Sequence, residues 1–131
     1  MKMLPLLYLM ALLIPALAMA RGETVSFPGT AVANKQVRSY LCDGNKRLGV
    51  LYINTTDGDS FAYLPVDGTQ HVFVTVMSGS GAKYASGRYV WWTKGPQGNL
   101  TREDDTDAPP LLANCVEQPP APGHSHAGNP M

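Results

Sequence analysis

Ser80 and Lys94 are the side chains whose types and setting could support chemistry. Ser80 lies in Ser78-Gly79-Ser80-Gly81, and Lys94 follows Trp91-Trp92-Thr93 and precedes Gly95. A serine framed by glycines invites comparison with a nucleophile elbow, which needs a glycine two residues before the serine and a strand-to-helix turn. Position 78 is serine, and no helical pattern follows Gly81, so the comparison fails. A Ser80–Lys94 dyad is the better enzymatic reading, because a lysine stripped of water can act as a base. It would need a desolvating pocket beside a substrate cleft, and a small domain has little room for both. His71 opens an apolar strand, where a lone histidine is more often structural than catalytic. Asp57, Asp59 and Glu103 could be combined into a glycosidase pair, yet all sit in loops where acids simply solvate. Asp57-Gly58-Asp59 departs from calcium-loop spacing, and His124 and His126 supply two metal ligands where a site needs more, with a second shell. The residues therefore predict no catalytic group, no metal and no cofactor.

The elements that must position Ser80 and Lys94 read as short strands between turns. Val37–Cys42 alternates and stops at Asp43-Gly44-Asn45; Leu48–Ile53 stops at Asn54 to Asp59. Phe61–Leu64 turns at Val66-Asp67-Gly68 into His71–Met77, the segment richest in β-branched and apolar residues. The serine-glycine run interrupts it before Ala82–Tyr84. Ser86-Gly87 leads into Arg88–Lys94, and Gly95-Pro96-Gln97-Gly98 into Asn99–Arg102. Leu111–Cys115 closes the series, and Val25–Phe27 is a candidate for one more strand near the N-terminus. Nothing after the first 20 residues has apolar side chains at helical spacing. About eight short antiparallel strands fit an all-β domain, either a small barrel, which hides its strand edges, or a two-sheet sandwich.

The ends of the chain address its compartment. Lys2 precedes an apolar run from Leu6 to Ile14, Pro15 breaks it, and Ala18-Met19-Ala20 offers small residues to signal peptidase. Residues 1–20 are thus expected to be a signal peptide, cut before Arg21 or two residues earlier. A retained membrane anchor is the rival. The apolar stretch barely reaches spanning length and contains Pro5 and Pro15. The first cysteine is Cys42, so no lipid-carrying cysteine stands near the cleavage site. A soluble chain without a membrane anchor is the expectation. Ten basic against ten acidic residues, with no basic cluster, argue against nucleic acid, which needs several phosphate-neutralising cations. In an exported chain the only two cysteines, Cys42 and Cys115, should pair. Closing so long a loop stabilises by about 4 kcal/mol in the chain-entropy model. The domain is expected over residues 21–117. Residues 118–131, with Pro119, Pro120 and Pro122 and the two histidines, read as a disordered tail. The acidic run Glu103–Asp107 reads as a solvated loop first and a partner-facing patch second.

One segment narrows the function. Ser78-Gly79-Ser80-Gly81-Ala82-Lys83-Tyr84 is followed by Tyr89-x-x-Trp92-x-Lys94-Gly95, with Tyr40-x-Cys42-x-Gly44 upstream and Asn114-Cys115 downstream. In order and spacing, from about Val37 to Cys115, this resembles the bacterial inhibitors of c-type lysozyme. The resemblance implies an eight-stranded antiparallel barrel clipped by Cys42–Cys115. It also implies that Ser80 and Lys94 project from neighbouring loops into the lysozyme active-site cleft. Of the family's lipid-anchored and periplasmic branches, the missing lipid-bearing cysteine favours the periplasmic one. The tail after Glu117 has no counterpart in the resemblance.

The chemistry is consistent. A c-type lysozyme keeps one carboxylic acid protonated and one carboxylate ionised on the floor of its cleft. Lys94 offers a compact ammonium to the carboxylate, and Ser80 a hydroxyl that donates or accepts to the acid. Gly79, Gly81 and Gly95 keep both tips slim and allow unusual backbone angles. Trp92 and Lys94 share one face of their strand and Trp91 takes the other, so one tryptophan should be core; alternation does not say which. Tyr84, Tyr89 and the remaining tryptophan are assigned to the lysozyme-binding region, as packing or as rim. Two readings from other classes stay beside this one: a small secreted hydrolase using the Ser80–Lys94 dyad, and an envelope barrel that carries a ligand or adheres.

Overall fold

A computed structural model describes Gly22 and residues 24–121; the expected signal peptide and the His124/His126 segment lie outside the described residues. Eight strands follow in order: β1 Val32–Cys42, β2 Lys46–Thr55, β3 Ser60–Val66, β4 Thr69–Val76, β5 Ala82–Ser86, β6 Tyr89–Lys94, β7 Gln97–Arg102 and β8 Leu112–Gln118. Each pairs antiparallel with the next, and β8 returns to β1, so the sheet closes into an up-and-down barrel and the sandwich is excluded. Val25–Phe27 forms no strand; chain pairing starts at Val32 instead, which lengthens β1 well upstream of Val37. At the other end β8 continues to Gln118, because its backbone pairs with Ser39 before the prolines end donation.

The turn chemistry is local. Asp67 and Gly68 both adopt positive φ, 49° and 79°, between the paired Val66 and Thr69, the geometry a two-residue hairpin requires. Alternation then sends one face of each strand inward. Trp91, Phe73, Leu64, Leu100, Val50 and Cys115 are the largest side chains shut away completely. Trp91 is the core tryptophan, and Gly98 explains why. A Cβ on Gly98 would lie 2.5 Å from the Trp91 ring, so the glycine of β7 makes the space that the indole fills. Tyr40 meets that indole edge-on at 5.1 Å. The Trp91 Nε1–H donates to the Tyr52 hydroxyl at 2.8 Å, and Tyr52 shares a hydrogen bond with the Tyr40 hydroxyl at 2.9 Å. Burial pushes the pKa of Tyr52 far up, and those of Tyr40 and Tyr84 in the same direction.

Closure depends on a short seam, Ser39↔Gln118, Tyr40↔Glu117 and Leu41↔Val116, with the Cys42–Cys115 disulfide beside it. Cys42 and Cys115 are paired, as expected, and both are buried. A bulge in β8 aims Cys115 inward: register shifts between Gly98 and Leu100, and Asn114 takes positive φ. The Asn114 N–H donates to Asn99 Oδ1, and its side-chain amide donates to Asp43 Oδ2. Bulge, β7 and the β1–β2 turn are thereby held together.

Candidate functional site

In an up-and-down barrel alternate connections share an end. The β4–β5 loop carrying Ser80 and the β6–β7 hairpin carrying Lys94 therefore emerge at the same end, while the acidic β7–β8 loop lies at the other. Lys94 is the last residue of β6 and pairs with Gln97, leaving Gly95 and Pro96 as the hairpin tip. Gly95 has φ 57° at the first tip position, where a primed turn wants glycine. The tip is secured from β8, whose Glu117 N–H donates to the Pro96 carbonyl at 2.7 Å. The Glu117 carboxylate in turn holds Arg38 of β1.

The Ser80 loop is pinned to the same strand. Ala82 pairs with Thr93, which sets Gly81 against the residues leading into Lys94. Gly81 has φ 68°, and a Cβ there would sit 2.1 Å from the Thr93 carbonyl oxygen. Only glycine permits that approach. The Trp92 Nε1–H donates to the Ser80 carbonyl at 2.9 Å, and the Ser78 hydroxyl donates to the same oxygen at 2.6 Å. With its carbonyl held, Ser80 leaves its side chain exposed on the loop. Gly79 is different: its backbone is ordinary and nothing lies within 4 Å of a Cβ placed there. Slimness is its only contribution.

Charge is distributed unevenly over the barrel. Lys83 pairs with Glu103, and Arg88 and Arg102 both pair with Asp104. The Arg102 hydrogen bond, more than any other influence, draws the Asp104 carboxyl below its ordinary range. The acidic loop thus spends two of its carboxylates on the barrel's own cations. Lys94 is exposed, and among the described residues it has no ion-pair partner. Among the described residues its side chain is open to solvent.

The aromatic residues divide. Trp92 is half-buried on the outer face, flooring an open groove of about 480 Å³ bounded by Ser78, Gly79, Ser80, Lys83 and Glu103. Tyr89 is half-buried and packs edge-on against His71 at 5.4 Å, which makes His71 a packing residue. Tyr84 turns inward at 8% exposure and meets Tyr52, supporting the loop end from within. Sequence reasoning brought Ser80, Lys94, Gly81, Gly95 and Trp92 to one place, where the structure also joins them. It missed Glu117 and Pro96, whose backbone bond gives no sequence signal.

The fold and these tips define a class first: a disulfide-clipped barrel with a filled interior that presents two anchored loops at one end. Comparison with known proteins places it within that class. Residues 40–109 match the family described as membrane-bound lysozyme-inhibitor of c-type lysozyme. The membrane-bound lysozyme inhibitor of C-type lysozyme from Cupriavidus necator is 42% identical over 113 residues, spanning 83% of this chain and 90% of the relative. Its Pseudomonas aeruginosa counterpart is 40% identical over 82 residues, 62% of this chain and 64% of the relative. Among solved structures, Pseudomonas aeruginosa MliC in complex with hen egg white lysozyme superposes with TM-score 0.60 at 34% identity, over 76% of this chain and 98% of that one. PliC-St, the periplasmic lysozyme inhibitor of C-type lysozyme from Salmonella typhimurium, gives 0.58 at 26% identity, over 66% and 100%. The chain belongs to the MliC family, whose named members here are inhibitors and not enzymes.

Proposed function

We propose that this chain inhibits c-type lysozyme by seating Lys94 and Ser80 in the active-site cleft, Lys94 against the ionised carboxylate and Ser80 against the protonated acid. The observation that carries the reading is the Lys94–Ser80 juxtaposition: an exposed ammonium, unpaired among the described residues, and an exposed hydroxyl at one barrel end, both tied to β6. Gly79, Gly81 and Gly95 shape the tips, Trp92 lies at their rim, and Tyr84 supports them from within; Tyr89, which opens β6 at the opposite end of the barrel, is left to packing against His71. The crystallised Pseudomonas aeruginosa relative is a complex with a c-type lysozyme, which supports the choice of partner. The dyad reading loses ground because Lys94 is solvated, and the ligand-carrier reading because Trp91, Phe73 and Leu64 fill the interior.

The test is turbidity loss of bacterial wall by c-type lysozyme, with and without the purified protein. Lys94→Ala should weaken inhibition by about 2–5 kcal/mol, since it leaves a desolvated carboxylate unpaired. Ser80→Ala should cost on the order of 1–2 kcal/mol, as a neutral hydrogen bond is worth less. Lys83→Ala and Arg88→Ala, whose cations are already paired within the barrel, should change little. Full inhibition by a folded Lys94→Ala protein would refute the plug.

Protection of peptidoglycan from host lysozyme follows as the biological role. A periplasmic, unlipidated state is part of the same proposal. Both cysteines of the sequence are used in the Cys42–Cys115 bond, which leaves no thiol for a thioether-linked lipid. Metabolic labelling with a fatty acid that appears on the mature protein would overturn that assignment.

A further inference from the structure

The outer wall formed by β3 and β4 is unlike the rest of the barrel surface. Ser60–Val66 and Thr69–Val76 contain no Asp, Glu, Lys or Arg, and neither does Met77. Apart from Gln70 beside the β3–β4 turn, outward positions there are apolar: Tyr63 is 40% exposed, Val72 58%, Val74 45% and Val76 36%. They form cross-strand pairs, Tyr63 against Val72 and Phe61 against Val74, so the side chains make one continuous stripe. The stripe ends at Met77, which is 98% exposed and directly precedes the Ser78–Gly81 loop.

We infer that this wall is the second half of the lysozyme interface, lying against an apolar lip of the cleft while the Ser80 and Lys94 tips enter it. The inference rests on the function proposed above. Two slim loop tips cover far less than the roughly 800 Å² per partner that a specific interface requires. The surface must continue somewhere, and the wall is continuous with the Ser80 loop through Met77. Applied to ordinary side-chain areas, the exposures give a patch on the order of 500 Å², larger than scattered surface apolar residues need. That area falls short of a stable dimer by itself but completes an interface begun by the tips. On the other side of the Ser80 loop, β5 carries the Lys83–Glu103 ion pair, whose desolvation a partner would have to offset. Met77, unbranched and polarisable, suits a lip whose shape varies between lysozymes.

Binding of the full chain to hen c-type lysozyme, followed by surface plasmon resonance, tests this. Met77→Ser lies in a loop and leaves the barrel intact; Val72→Thr with Val74→Thr keeps β-branched shape in the strand. Each variant is expected to weaken binding about ten- to hundredfold, chiefly through faster dissociation, with the melting curve unchanged. Unchanged affinity in both variants, while Lys94→Ala loses affinity, would overturn the wall and leave the plug standing. A parent protein that does not bind lysozyme would fail both readings together. If the parent proves dimeric by light scattering, and the variants turn monomeric with full inhibition, the wall joins two copies and the inference is wrong.

Discussion

Replacing Gly81 with alanine separates the geometry of the Ser80 loop from its side-chain chemistry. The substitution touches neither Ser80 nor Lys94. Its Cβ would stand 2.1 Å from the Thr93 carbonyl oxygen and 3.2 Å from Trp92 Nε1. The first contact is with backbone of a paired strand, which cannot rotate aside. To restore an ordinary separation the loop must lift from β6 by about 1 Å, stretching the Trp92–Ser80 bond beyond hydrogen-bonding range. An alanine at φ 68° adds about 1–2 kcal/mol of left-handed strain. Global stability should fall by about that strain, because the loop is exposed. Inhibition should fall by roughly tenfold to a hundredfold, since displacement of this size breaks a site held by short contacts. Two other glycines calibrate the result. Gly95→Ala meets nothing within 4 Å but sits at φ 57°, so it should cost only the strain; Gly79→Ala has neither problem and should leave stability unchanged, adding only a methyl to the tip. Paired melting and lysozyme-inhibition curves for the three variants read this directly. Equal inhibition by the Gly81→Ala protein and the parent would show that loop placement is immaterial, and the reasoning would fail.

Gly98→Ala forces a methyl to within 2.5 Å of the buried Trp91 ring, an overpacking expected to cost about 1–3 kcal/mol in chemical denaturation without changing inhibition by the protein that remains folded. Tyr52→Phe strips the Trp91 Nε1–H of its acceptor and should cost about 1–3 kcal/mol, with a red-to-blue change in tryptophan absorbance as the readout of the altered indole environment. Because burial raises the Tyr52, Tyr40 and Tyr84 pKa values, the folded state keeps these phenols neutral. Their contribution is complete below the unfolded value of about 10 and declines as pH climbs beyond it, so stability should hold from pH 7 to 9 and fall above. Cys115→Ser should lower stability by roughly 2–5 kcal/mol in the same denaturation assay; a loss near zero would mean the β1–β8 seam closes unaided.

Much of this molecule could be read from residue order because it depends on local chemistry. Period-two alternation and turn residues such as Asp67-Gly68 located the strands. Two cysteines left one pairing, and the spacing of Ser80 and Lys94 within a family-like frame pointed to the tips. What escaped was whatever a residue owes to a neighbour distant in sequence. Alternation put Trp91 and Trp92 on opposite faces, yet only the pairing of β6 with β7 brings Gly98 under Trp91 and makes that indole the core one. Val25–Phe27 has strand composition but no edge to pair with, while Val32–Val37 gains β2 as a partner and becomes the start of β1. The loop glycines looked interchangeable in sequence. Tertiary packing distinguishes them: Gly81 by the approach of Thr93, Gly95 by its backbone angle, Gly79 by neither. The uncharged wall was visible as composition, but its outward orientation required the closed barrel. Sequence alone determines propensity and periodicity, which are properties of neighbours along the chain. Register, closure and the contacts that pin Ser80 beside Lys94 are properties of strands meeting across space, and only the folded barrel decides them.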